Sequence, residues 1–319
     1  MIKKRKCAVI GCGFVGATTA YALMKSKLFS EMVLLDIDRQ KAYGEAEDLS
    51  HGLSFNTPMD IYVGDYPDLS DCNIVILAAG AGQKDGETRL DLLSKNIHIF
   101  ESIISNIRRF CANAILLVVT NPVDILTQIT LKLSGFPKEH VIGSGTVLDT
   151  ARLKYLLGKR FNVDMRNVHA FIIGEHGDSE LPVFSSANIS GIDLPHFCAA
   201  SCKSGELCTY ESLYPVFDEV KNSAYRIIEG KGATYYAIAE ATVRIVSAIV
   251  RDEKAILPVS AYVKDYYGAN DICIGVPCII GKDGIEDVLK IPLNAEEQEK
   301  FRHSASVIRE AVDSVTLSC

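Results

Sequence analysis

The chain has 319 residues, 48% hydrophobic and 23% charged, with a formal net charge of −7 and ten cysteines. That length suits one large or two medium domains with an ample core, and the acidic balance gives no electrostatic reason to expect nucleic acid or an anionic membrane as partner. The cysteines, at 7, 12, 72, 111, 198, 202, 208, 273, 278 and 319, form no CxxC pair. The tightest group, 198–208, has no histidine at zinc-site spacing although His196 is near. Free thiols in a reducing cytoplasm, and no metal site, are the expectation.

The basic residues 3–6 precede an apolar stretch reaching Met24, the order of a secretory leader. The glycine spacing inside that stretch argues against cleavage, so the basic run is read as a solvated face before the first strand. No run is long and apolar enough to span a bilayer.

A strand at 7–10 enters Gly11-Cys12-Gly13-Phe14-Val15-Gly16, a helix follows over 14–27, and a second strand, 32–36, ends in Asp36, twenty residues past Gly16. Gly11 permits the tight turn, Gly13 lets the backbone approach a pyrophosphate, and Gly16 lets helix pack closely on strand. The helix start, with Phe14 and Val15, offers N–H groups and a positive dipole end to phosphates. Asp36 can accept from ribose hydroxyls and would repel a 2′-phosphate, so the motif predicts NAD over NADP.

Further strands are expected at 60–63, 73–79, 114–119 and 140–143, with helices at 39–49, 89–110 and 123–134. This alternation predicts an α/β fold with a doubly wound parallel sheet, a Rossmann domain over residues 1–144. Ligands on such sheets bind beyond the strands' carboxyl ends, which puts residues 79–89 and Thr120-Asn121-Pro122 at the site. After about residue 145 the rhythm changes. A helix at 147–161 leads to strands at 168–173 and 181–190, helices at 211–230 and 233–251, antiparallel runs at 255–263, 271–279 and 286–291, and a closing helix at 294–316. This predicts an α+β catalytic domain over 145–319, with chemistry in the cleft between the two.

The second constellation is Leu148-Asp149-Thr150-Ala151-Arg152 followed by Gly174-Glu175-His176-Gly177-Asp178. Asp149 and Arg152 are three apart and share a helix face. His176 sits in a glycine-flanked turn, where it can pass a proton in both directions. An aspartate on its other nitrogen would fix the tautomer and stabilise the imidazolium, and an arginine fork grips a carboxylate. Each motif alone is equally compatible with a surface ion pair or a turn histidine.

Taken together with Gly86-Glu87-Thr88-Arg89, Thr120-Asn121-Pro122-Val123-Asp124 and the stretch from Gly143 to Arg152, these motifs resemble the L-lactate and malate dehydrogenase family over nearly the whole length. The resemblance implies hydride transfer between the nicotinamide and the 2-carbon of a short hydroxy acid. His176 would be proton donor and base, Asp149 its partner, Arg152 the carboxylate clamp, and Arg89, on a closing loop, the group polarising the carbonyl. Asn121 would bond substrate and cofactor, Thr234 would face the substrate methyl, and Ile238 would lie against the nicotinamide.

Within the family, the residue six before the loop arginine selects the substrate. Here it is Gln83, where malate members carry arginine. A neutral Gln leaves a second carboxylate unpaired in a closed site, at a cost on the order of several kcal/mol. Pyruvate and L-lactate are therefore expected, with malate or broader 2-hydroxy acids as the alternative. The loop reads Gly82-Gln83-Lys84-Asp85 where lactate members often have Asn-Gln-Lys-Pro, a looser segment. The resemblance also implies a homotetramer and, as in many bacterial members, activation by fructose 1,6-bisphosphate at an arginine and a histidine between subunits. His169 stands at the histidine position and Lys154 at the arginine position, a weaker fork for phosphate, so a weakened response is expected.

Overall fold

A computed structural model describes residues 5–82, 89–201 and 209–315, with the side chains of Arg89, Leu90 and Ser201 outside that description. The first half runs β1 (Lys6–Ile10), α1 (Phe14–Ser26), β2 (Glu31–Leu35), α2 (Arg39–His51), β3 (Asp60–Val63), β4 (Ile74–Leu77), α3 (Arg89–Phe110), β5 (Ile115–Val118), α4 (Val123–Ser134) and β6 (Val141–Gly143). The second half runs α5 (Val147–Phe161), β7 (Val168–His169), β8 (Ile172–Ile173), β9 (Leu181–Pro182), β10 (Asn188–Ile189), β11 (Ile192–Asp193), α6 (Leu194–Ser201), α7 (Tyr214–Lys231), α8 (Tyr236–Val250), β12 (Ala255–Val263), β13 (Ile272–Gly281), β14 (Gly284–Val288) and α9 (Ala295–Asp313).

β1, β4 and β5 are buried at every position, as expected of parallel strands covered by helices on both faces. The parallel order β6-β5-β4-β1-β2-β3 is doubly wound, and its switch point lies between β1 and β4. The turn after β1 stands at that switch point, the place where doubly wound sheets bind ligands. The late antiparallel strands do not form a sheet of their own. Ser260 on β12 bridges Gly143 on β6, so β12, β13 and β14 extend the same layer to nine strands.

Four expectations are corrected. The run 168–173 is two strands in different sheets: Val168 pairs with Ile189, whereas Ile172 pairs with Pro182. The run 181–190 splits correspondingly into β9 and β10. Lys6 is not on a solvated face; it opens β1, is 6% exposed, and holds Asp71 at 2.8 Å and Glu31 at 3.0 Å. Cys198 is disulfide-bonded, against the free-thiol reading, while Cys7, Cys12, Cys72, Cys111, Cys273 and Cys278 are free and buried. Among the described residues, no helix is long and apolar enough to cross a membrane.

Candidate active site

The glycine turn fits a dinucleotide. Gly11 has φ +99°, and a Cβ there would run into the Ala79 backbone on the neighbouring strand end. A Cβ on Gly16 would collide with the Gly11 carbonyl, so this glycine serves packing. Gly13 is different: a Cβ there would meet nothing within 4 Å. It is the N-cap of α1, and no side chain caps that end, leaving its N–H groups and room in front of them for phosphate oxygens. Asp36 accepts from the Cys12 N–H at 2.6 Å and the Asp38 N–H at 2.9 Å, which anchors the acid beside the turn. Gly13→Ala should keep the melting temperature while weakening NADH about tenfold or more, ~1.4 kcal/mol or above. Gly16→Ala should instead destabilise the fold by about 1–3 kcal/mol. Thermal melts with NADH titrations separate the two.

Phe14 opens α1, is 72% exposed, and stacks on Tyr235 with ring centroids 5.5 Å apart. Val15 and Ile238 pack half-buried against the core, and Thr234 lies half-buried just before α8. After β5 the chain passes a cis Asn121–Pro122 bond into α4, and the Asn121 carbonyl accepts from Asn96 Nδ2 at 3.2 Å.

Around His176 the backbone is pinned from three sides. Gly174, at φ +96°, exchanges hydrogen bonds with Gly275 on β13 at 2.9 and 3.0 Å. Glu175 N–H donates to Ser304 Oγ on α9 at 2.7 Å, and His176 N–H donates to Asp124 Oδ2 on α4 at 2.7 Å. Beneath, Thr146 Oγ1 donates to the Ile172 carbonyl at 2.6 Å, and Thr150 Oγ1 accepts from Ile172 N–H at 2.8 Å. These bonds staple the start of α5 to β8 and place Asp149 under the imidazole. Asp149 Oδ2 then lies 2.6 Å from His176 Nδ1, and Asp149 Oδ1 accepts from Arg152 Nη1 at 2.8 Å.

Asp149 is 2% exposed. Burial works against its charge, but His176 and Arg152 overcome this and hold the carboxyl below its ordinary value. Burial likewise opposes the imidazolium, yet the Asp149 charge and hydrogen bond prevail, and His176 is pushed up to about 9. Its side chain keeps 24% exposure, enough for the ring edge to face a cavity of about 1020 Å³ that Asn121 also lines. The arrangement can hold a proton at the cavity wall and release it to an acceptor there.

The structure thus joins Asp149, Arg152, His176 and Asn121. Thr234 and Ile238 are not on that cavity's lining. Gln83 lies outside the described residues, and Arg89 is placed only as the first residue of α3. Lys154 is half-buried on α5, where burial and the Arg244 charge lower its proton affinity; His169 is exposed on β7. Sequence reasoning missed two buried acids, Asp124 and Glu180. Burial pushes the Asp124 carboxyl up to about 6. Its place in the run Asn121-Pro122-Val123-Asp124 was the available signal; Glu180 carried none.

An uncapped helix start after a glycine turn at the switch point and a buried Asp149–His176 pair flanked by Arg152 are the parts that a nicotinamide-dependent oxidoreductase of small carboxylates needs. Residues 5–143 match the lactate/malate dehydrogenase NAD-binding domain and residues 146–317 the lactate/malate dehydrogenase alpha/beta C-terminal domain. The chain belongs to the lactate/malate dehydrogenase family. It is 52% identical to L-lactate dehydrogenase 1 of Clostridium acetobutylicum over 315 residues, 99% of this chain and 100% of that one. It is also 52% identical to L-lactate dehydrogenase of Acetivibrio thermocellus over 313 residues, 98% of each. The structure of the minor L-lactate dehydrogenase from Enterococcus mundtii in the ligands-bound form superposes with a TM-score of 0.94 at 39% identity, covering 99% of both chains.

Proposed function

We propose that this protein catalyses the reversible NADH-dependent reduction of pyruvate to L-lactate. The observation that carries the reading is the Asp149–His176–Arg152 set at 2.6 and 2.8 Å, with His176 on the wall of the cavity that Asn121 also lines. Relatives named L-lactate dehydrogenase at 52% identity support the substrate.

Residues 1–144 hold the cofactor: the 11–16 turn, with Phe14 and Val15 at the helix start, meets the pyrophosphate, and Asp36 the adenosine ribose. NADH, when bound, supplies the hydride for the substrate's 2-carbon. Residues 145–319 hold the substrate. Arg152 grips the carboxylate of pyruvate. His176, charged at neutral pH, donates its proton to the carbonyl oxygen as the alkoxide develops, and Asp149 stabilises that charged form. In lactate oxidation the neutral imidazole takes the proton back. Asn121 orients the carbonyl and Arg89 polarises it from the start of α3; by family resemblance Thr234 would come against the methyl group and Ile238 against the nicotinamide.

Gln83 gives the direct test. Wild type should oxidise NADH far faster with pyruvate than with oxaloacetate, and Gln83→Arg should reverse that preference by pairing the second carboxylate. A wild type that prefers oxaloacetate would overturn the substrate assignment and leave the family intact.

We also assign the protein to the cytoplasm as a homotetramer, with a weak fructose 1,6-bisphosphate response through Lys154 and His169. Lys154 supports only a weak response, because its ammonium is partly buried next to Arg244 and lacks a guanidinium's fork. Effector should lower KM for pyruvate at subsaturating substrate. A titration flat to millimolar effector would overturn this assignment.

A further inference from the structure

Glu180, which precedes β9, is 7% exposed and lines the same cavity as His176 and Asn121. One carboxylate oxygen from Glu180, one from Asp149 and one ring nitrogen of His176 lie within 4.8 Å of one another. Two buried carboxyls therefore crowd one imidazole, which is bonded to Asp149. Asp149 is doubly partnered, by His176 and Arg152. Glu180 accepts no side-chain hydrogen bond among the described residues.

Other charged groups face this corner, among them Glu175 on the same turn, which accepts from Ser179 Oγ. Arg152 on α5 holds Asp149 at 2.8 Å. Lys221 on α7 donates to the Asp178 carbonyl at 2.7 Å. From α9 the cavity wall adds Glu299, Lys300 and His303, and Lys300 holds Glu296 at 2.6 Å. Asp124, on α4, accepts from the His176 backbone N–H, and its charge also favours the imidazolium.

We infer that Glu180 is a positioning residue that must carry a proton for the pocket to accept its substrate, so that binding of a 2-keto monocarboxylate needs two protonated groups, His176 and Glu180. Like charges this close in a poorly solvated site do not both ionise cheaply, and the doubly partnered Asp149 keeps the charge. Burial pushes the Glu180 carboxyl well above the usual carboxylate range, with the ionised Asp149 adding to it, against weaker pulls from His176, Arg152 and Lys221. With Glu180 neutral, the charges of Asp149, His176 and Arg152 sum to one positive, which suits one substrate carboxylate. Ionised Glu180 cancels that charge and opposes the incoming anion.

This inference rests on the proposed pyruvate reduction. Its test is the pH dependence of oxamate binding to the enzyme·NADH complex, followed by NADH fluorescence; oxamate is an isosteric monoanion of pyruvate. In wild type the dissociation constant should rise about a hundredfold per pH unit at the alkaline limit, two protons lost. In Glu180→Gln it should rise only about tenfold per unit. A wild-type slope of one proton overturns the inference whether or not the variant folds, and so does an unchanged slope in a variant that still binds NADH. A wild type that neither binds oxamate nor reduces pyruvate takes down the functional reading itself, and the inference with it.

Discussion

Asp149→Asn is expected to slow pyruvate reduction at neutral pH by about 10²–10³-fold and to move its pH profile. In wild type the Asp149 charge keeps His176 protonated up to about 9. Reduction should therefore be flat through neutrality and decline as pH rises through that value, while lactate oxidation rises through it. With asparagine the carboxylate no longer offsets burial, and the histidine falls to its ordinary value of about 6.5 or below. At pH 7.5 about a tenth or less of it would then be protonated. The rest of the loss comes from an imidazolium with no counter-charge and an amide that can hold the wrong tautomer. Lowering the pH should partly restore reduction in the variant. A midpoint still near 9 would show that another group holds the proton. The same linkage acts on stability: because folding raises the histidine's proton affinity, the contribution is complete below about 6.5 and disappears as pH rises through about 9. The melting difference between wild type and variant should shrink along that interval.

How far this site could be read beforehand differs between its parts. The cofactor half is legible because its information is local: glycine spacing, alternating buried strands and an acid at the end of β2 each follow from nearest neighbours in sequence. α3 and α4 fall where the apolar periodicity puts them, at 89–110 and 123–134. In the second half the decisive partners are distant. Nothing local says that chain direction changes between His169 and Ile172, because what divides them is the pairing of Val168 with Ile189 and of Ile172 with Pro182. The continuation of the sheet from Gly143 to Ser260 is equally non-local. His176 and Asp149 could be paired on chemistry, since an imidazole with a catalytic task needs a counter-charge. Asp124 and Glu180 could not, because a buried acid and a solvated one look alike in sequence. Only the packing of α4, α5 and the 174–180 turn around one imidazole distinguishes them.

Arg152→Lys separates substrate grip from proton chemistry. Arg152 is positioned by the 2.8 Å bond from Nη1 to Asp149, with its side chain 13% exposed. One edge of the guanidinium is thus fixed to the carboxylate beneath, leaving further N–H groups for the pyruvate carboxylate. Lysine keeps the positive charge but loses the planar fork, so it cannot serve both anions with fixed geometry. Weakening one partner of a buried, hydrogen-bonded charge pair costs about 2–5 kcal/mol, which is roughly 30- to 5,000-fold in affinity. That loss should fall mainly on KM for pyruvate and on oxamate affinity, with a smaller drop in kcat, because the contact exists before as well as during the chemistry. NADH affinity should be unchanged, since the 11–16 turn and Asp36 lie on other elements. The alkaline midpoint of reduction should also stay near 9, because Asp149, the group that holds the His176 proton, remains. A variant with normal KM and low kcat would mean that Arg152 serves Asp149 alone and that the carboxylate is gripped elsewhere. A lowered midpoint would mean that the arginine's main task is to orient the Asp149–His176 pair.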